Sequence, residues 1–272
     1  MRRRNIIIFT LGGLVLLGLV AGLFSAKIEN ALRKPMSTQM MTNTQGMPQT
    51  QAKTNMPATT PPGTAPANTN QQNQQKNVLA NDTFQRQDQA LWGTASDGRQ
   101  WGGDANTQQF FSIKGQQGQI AGGQGTLDAI IIGPPIDNVD VTVRGSINQF
   151  DTIVNLGIVV RWTDPNNWYK AFIDGNHLSI LKDVNGTKST VKQMDLTTSA
   201  GVTQTLRFRS VGTMLLVNAW PGNMPEPQNW MLIANDSSLP TGQFGIRVHE
   251  QPTTVITILS FNATTASIGN NP

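Results

Sequence analysis

The chain contains no cysteine, which excludes disulfides, thiolate nucleophiles and cysteine-ligated metal together. Glutamate is scarce as well: beyond residue 77 it occurs only at Glu226 and Glu250. Retaining hydrolysis of a glycosidic bond needs two carboxyl groups about 5–5.5 Å apart. A strand carrying E-x-D-x-x-E supplies such a pair, and no E-x-D or D-x-E strand pattern exists here. The two histidines, His177 and His249, lie far apart with no nucleophile motif beside either. G-x-S-x-G, H-E-x-x-H and the phosphate-loop pattern are absent, and "GGQGT" at 122–126 lacks the lysine a phosphate loop requires. It reads as a turn. No catalytic residue, cofactor or metal ligand set is therefore expected, although an acid pair assembled from aspartates on distant strands stays open. A structural calcium would draw its oxygens from Asp82 with Asp128 or Asp137, but no spaced carboxylate loop supports one.

Charge is distributed unevenly. Residues 1–77 carry eight Lys or Arg against the single acid Glu29, net +7, whereas the rest carries twelve basic and fifteen acidic residues, net −3. The basicity belongs to the N-terminal region, so the remainder lacks the concentrated Lys/Arg surface of a phosphate-backbone binder. No nucleic-acid partner is expected.

The start, "MRRRNIIIFTLGGLVLLGLVAGLFSAK", places three arginines before 21 uncharged residues, 6–26. As a helix this run would be roughly 30 Å long and would match a bilayer core. The small residues of a cleavage site are missing, with Phe24 or Leu23 at the −3 position. Residues 1–27 are thus expected to be an uncleaved single-pass membrane anchor contacting the lipid bilayer. The tight cluster Arg2, Arg3 and Arg4 places the N-terminus in the cytoplasm and the C-terminal bulk outside.

Residues 28–77 are rich in Thr, Gln, Asn and Pro, and the part from 35 onward has no aromatic residue. Such a composition cannot offset its ordering entropy, so a disordered stalk spanning roughly 35–40 Å is expected. From Val78 short β-rich runs alternate with turn residues, among them "VDVTVRGSI", "LGIVVRWT", "NWYKAFID", "HLSILKDV", "TLRFRSV" and "GQFGIRVHE". No sustained helical period follows residue 30. The fold class is all-β, two antiparallel sheets packed face to face over residues 78–266, with a short disordered tail at 267–272.

"DTFQR" at 82–86, Trp92, Trp101, "FFSIKGQQGQIAG", "GIVVRWTDPNNWYKAFIDGNHLSILK", "TLRFRSVGTMLLVNAW" and the closing "GQFGIRVHEQPTTVITILSF" together resemble the concanavalin A-like lectin/glucanase jelly roll. More narrowly, they are similar to its laminin-G-like bacterial domains. The resemblance implies a jelly-roll sandwich whose open sheet face carries glycan. The fold also hosts glycosidases and adhesion and sensory modules.

In "RWTDPNNWYKAFIDG", with "DPNN" (164–167) as the loop, Trp162 faces Tyr169 and Arg161 faces Lys170. Alternation then sorts Ile158, Val160, Trp162, Tyr169, Ala171 and Ile173 to the core. Val159, Arg161, Thr163, Trp168, Lys170 and Phe172 take the outer face. Arg161 opposite Lys170 calls for a neutralising acid such as Asp140, or an anionic ligand. An indole beside charged and hydrogen-bonding groups also suits a sugar, whose C–H face stacks on the ring. The ligand-binding candidates are Arg161, Asn167, Trp168, Lys170, Phe172 and, at the base of a Pro-rich loop, Trp220. "DGNH" at 174–177 and "NG" at 185–186 read as tight turns, the second pairing Asp183 with Lys188. The expected function is a membrane-tethered, non-catalytic module for carbohydrate or cell-wall polymer. A protein-binding or sensory ectodomain and a hydrolase with dispersed acids are the alternatives.

Overall fold

The computed structural model describes residues 77–125, 127–151 and 153–267, without the side chains of Leu127 and Asp128. The anchor 1–27, the stalk except Asn77 and the tail except Ser267 lie outside the described residues. Among the described residues no helix is long and apolar enough to cross a membrane.

The described residues form sixteen strands, the longer ones built on alternating apolar residues. The first five are β1 (Val78–Asp82), β2 (Gln89–Ala90), β3 (Gly102–Gly103), β4 (Phe111–Ile113) and β5 (Gly118–Ala121). Next come β6 (Leu127–Ile136), β7 (Val139–Ile147), β8 (Leu156–Asp164), β9 (Asn167–Ile173), β10 (His177–Val184) and β11 (Thr187–Asp195). The last are β12 (Gln204–Val211), β13 (Met214–Pro221), β14 (Leu232–Asn235), β15 (Gly242–His249) and β16 (Val255–Thr265). One turn of 3-10 helix, Asp104–Asn106, interrupts them.

They form two antiparallel sheets. A nine-stranded sheet runs β14-β13-β12-β7-β16-β5-β4-β2, with β1 also paired to β16. A seven-stranded sheet runs β11-β10-β9-β8-β15-β6-β3. The apolar phase of each strand points between the sheets: Val139, Val141 and Val143 from β7, Leu206 and Phe208 from β12, Ile158 and Val160 from β8, Phe244 and Ile246 from β15. Edge strand β11 is largely exposed and carries Lys188 and Lys192, a charge pattern that discourages pairing with another chain. Lys192 also donates from Nζ to the Ile233 carbonyl of β14, joining the two sheets along that side at 2.9 Å.

The "DTFQR" motif closes one end of the sandwich. The Asp82 carboxylate accepts hydrogen bonds from the Phe84 N–H, Arg86, Ser96 and the Trp101 indole. Around it, Phe84, Trp92, Trp101, Phe111 and Phe261 pack edge to face and stacked, with centroids 5.0–6.0 Å apart. These donors occupy the lone pairs that a calcium at Asp82 would need.

The β8–β9 hairpin corrects the expected register. Asp164 pairs with Asn167 as the loop requires, but the next pair is Val160 with Tyr169, so three residues of β8 face Trp168 alone. The inserted pair shifts the register by two, and Ile158, Val160, Tyr169, Ala171 and Ile173 keep the core face expected of them. Inside the bulge the phase inverts. Arg161 takes a left-handed backbone, φ 51°, and turns inward, 1% exposed. Its guanidinium donates to the carbonyls of Asp137, Gly212 and Leu239 and lies 6.0 Å from the Tyr169 ring centroid. Arg161 is therefore not on the outer face beside Lys170. It ties three connecting segments to the core.

Truncating it leaves those carbonyls without their charged donor, and each unsatisfied buried group costs about 1–3 kcal/mol. Arg161→Ala is expected to lower urea stability by about 3 kcal/mol or more. An Arg161→Ala protein as stable as wild type would contradict this structural role.

Candidate functional site

The same bulge sends Trp162 outward. On the face of the seven-stranded sheet turned away from the core, Ile131, Val159 and Trp168 form a second apolar cluster, with Trp162, Ala129 and Leu181 packed against it. Beside that cluster lies a cleft of about 230 Å³ lined by Trp162, Gln243, Gln100, Ile131 and Ile132. Glycines 102, 103 and 133 complete its lining with backbone only. Gln243 stands directly opposite Trp162 in the β15–β8 pairing. Its Nε2 donates to the Gly133 carbonyl at 3.1 Å, and Gln100 Nε2 donates to Thr94 Oγ1 at 2.7 Å. Each amide thereby keeps its carbonyl oxygen available as an acceptor. The Trp162 indole N–H has no hydrogen-bond partner among the described residues. The cleft thus combines the indole surface of Trp162 with two amide acceptors, and its lining among the described residues carries no charge, while the Trp162 N–H is itself buried.

The sequence candidates do not gather into one site. Trp168 is only 1% exposed. Its indole donates to the Pro165 carbonyl at 2.8 Å, and the Arg247 guanidinium lies 4.7 Å from its ring centroid. Lys170, buried beside it, donates from Nζ to Asn155 Oδ1 and sits 5.1 Å from the Phe172 ring centroid. Phe172 is half-buried on the same face. Asn167 joins two turns, donating from Nδ2 to Asp164 and accepting the Asn185 N–H at 3.0 Å. Trp220 belongs to β13 in the other sheet and lines a separate cleft of about 150 Å³ with Thr198, Gln204 and Pro221.

Asp140, the neutralising acid suggested for Arg161 and Lys170, serves a different pair. It lies on β7 and bonds Arg207 and Arg209 at 2.6–2.8 Å. Glu226 holds Arg207 Nη1 at 2.9 Å, and Trp230 lies 5.0 Å and 5.2 Å from the two guanidinium carbons. This network fastens the Pro-rich loop to the nine-stranded sheet. Asp183 stands between Trp168 and Lys188 in the register, 1% exposed, and its Oδ1 has no partner among the described residues. Among the described residues no three His, Asp or Glu gather as a metal site.

No known family pattern matches the chain, and no curated protein matches it. Solved structures do. The xylan beta-1,4-xylosidase from Bacillus halodurans C-125 matches at TM-score 0.52 and 10% identity, over 68% of this chain and 38% of its own. The GH43 protein BlXynB from Bacillus licheniformis matches at TM-score 0.51 and 13% identity, over 68% of this chain and 39% of its own. The carbohydrate-binding module CBM66 from Bacillus subtilis matches at TM-score 0.47 and 16% identity, over 59% of this chain and 94% of its own. The chain spans well under half the length of the first two of these proteins. Their likeness shows the fold, an antiparallel two-sheet sandwich as the sequence motifs imply, and leaves the ligand to the residues themselves.

Near the far end of the seven-stranded sheet, Asp236 accepts from Lys182 Nζ at 2.5 Å, Tyr169 Oη at 2.5 Å and the Ser238 N–H at 2.9 Å. Burial alone would raise this carboxyl, but the donors, Lys182 foremost, outweigh it and hold Asp236 far below the usual carboxylate range. A group depressed in the folded state stabilises the fold above its unfolded pKa near 4, and that contribution is lost as pH falls toward the folded value. Asp236→Asn should therefore lower urea stability at pH 7, with the gap to wild type closing below about pH 4. A gap equally wide at pH 7 and pH 2 would contradict the assignment.

Proposed function

We propose that this protein is a membrane-tethered, extracytoplasmic module that binds a neutral glycan, such as a cell-wall or extracellular polysaccharide, without catalysis. The observation that carries the reading is the Trp162 cleft. A pyranose offers a C–H face for the indole and hydroxyls that donate, and the cleft supplies the aromatic surface and two amide oxygens. An uncharged lining suits a neutral sugar. The tether is the apolar run 6–26, oriented by Arg2, Arg3 and Arg4, with residues 28–77 as the stalk.

Among the described residues no carboxylate lines the cleft, which supports binding over hydrolysis, because both retaining and inverting mechanisms place two carboxyl groups at the scissile bond. Asp183 gives the hydrolase reading its foothold, as a buried acid on the same face whose Oδ1 has no partner among the described residues.

The test uses cells that display the full chain and a set of fluorescent neutral oligosaccharides. Intact cells should retain at least one of them. Trp162→Ala should weaken retention roughly tenfold or more, given the ~1.5–3 kcal/mol carried by a buried aromatic contact, while Trp220→Ala leaves it unchanged. No retention of any sugar, on intact or permeabilised cells, would refute binding. Retention only after permeabilisation would reverse the topology. Turnover of the sugar that disappears in Asp183→Asn would replace the binding module by a hydrolase.

A further inference from the structure

On the outer face of the seven-stranded sheet, the long side chain of Lys170 runs across Gly157 to reach Asn155. A β-carbon on Gly157 would come within 2.5 Å of Lys170 Cε, so only glycine leaves this passage open. At its end Lys170 Nζ meets Asn155 Oδ1, while Asn155 Nδ2 is held by the Ile153 carbonyl at 2.9 Å. Both residues are buried, Lys170 at 3% and Asn155 at 8% exposed. Asn155 also pairs with His249 through two backbone hydrogen bonds of 3.0 Å and 3.3 Å, which places their side chains on one face.

We propose that Lys170 and Asn155 form an intramolecular isopeptide bond, joining β9 to the residue that leads into β8. The arrangement holds an amine and a carboxamide in contact, shielded from water, with a proton acceptor in the adjacent strand. Such a site gains its rate from fixed proximity. In the step, the Lys170 ammonium gives one proton to the His249 imidazole, and neutral Nζ attacks Asn155 Cγ. A second Nζ proton passes to the amide nitrogen of Asn155, the Cγ–Nδ2 bond breaks, and ammonia departs, taking the proton back from the imidazolium as ammonium. The new Cγ–Nζ amide keeps one hydrogen. No oxidant or cofactor is required, which suits a chain without cysteine. The state of His249 fits the role: burial first, and then the Lys170 charge, push it below the usual imidazole range, so it is neutral and able to accept a proton at pH 7.

The experiment is a tryptic peptide map of the purified full chain by mass spectrometry. A linked Lys170 resists cleavage, so Gly145–Arg161 should appear joined to Trp162–Lys182, lighter than the sum of the two by about 17 Da, the mass of ammonia. In Asn155→Ala and in Lys170→Arg the branched species should vanish. Linear Gly145–Arg161 and Trp162–Lys170 peptides in the wild-type digest, with no branched product, would overturn the proposal. So would the same linear pair with Asn155 heavier by about 1 Da, since that marks hydrolysis to aspartate in place of cross-linking.

Discussion

The two extra residues that β8 carries opposite Trp168 determine what this sandwich presents to its surroundings. An uninterrupted hairpin would bury Trp162 and expose Arg161. The bulge exchanges them by letting Arg161 adopt a left-handed backbone, which costs an L-residue roughly 1 kcal/mol or more. Three carbonyl acceptors at the guanidinium offset that cost. The exchange is therefore stable only because three connecting segments, at Asp137, Gly212 and Leu239, converge on one cation. Cleft and core share this single constraint.

The tryptophans show why one indole stands apart. Trp92 donates to the Gln119 carbonyl, Trp101 to Asp82 and Trp168 to the Pro165 carbonyl. Trp230 is held by the two guanidinium groups of Arg207 and Arg209. Buried Trp N–H groups ordinarily find a partner, since leaving one unsatisfied forfeits its solvation. Trp162, shielded yet without a partner among the described residues, departs from that rule beside a cleft with two amide acceptors. Two cations of the same face are already engaged with the protein: Lys170 with Asn155 and Arg247 over Trp168.

Alternation made the long strands legible, because a half-buried strand records its two faces directly in sequence. "VDVTVRGSI" coincides with β7, and the turns at 174–177 and 185–186 place Asp183 opposite Lys188 as their composition implied. The two-residue strands β2 and β3 are too short to carry a pattern, and β5, "GQIA", begins on a glycine. Within the hairpin, Ile158, Val160, Tyr169, Ala171 and Ile173 were readable since a shift of two preserves the pleat, whereas Arg161 and Trp162 were not. Nothing local in "VRWTD" announces a bulge; it is imposed by acceptors 24 to 78 residues away. Gln100 and Gln243 were equally hidden, because they meet Trp162 only through the sheet pairing of distant strands. Trp168 and Lys170 attracted a binding role through composition, which does not record that their polar ends already have partners inside the fold.

The most direct test of this account is to follow the indole N–H resonances of the six tryptophans, in the full chain held in detergent, while titrating a neutral oligosaccharide retained by cells displaying the protein. The Trp162 indole signal should shift progressively as a sugar ring stacks on its face, with Trp92 and Trp101 unmoved. A titration in which Trp162 stays fixed while Trp220 or Trp230 moves would place the site on the opposite sheet and contradict it.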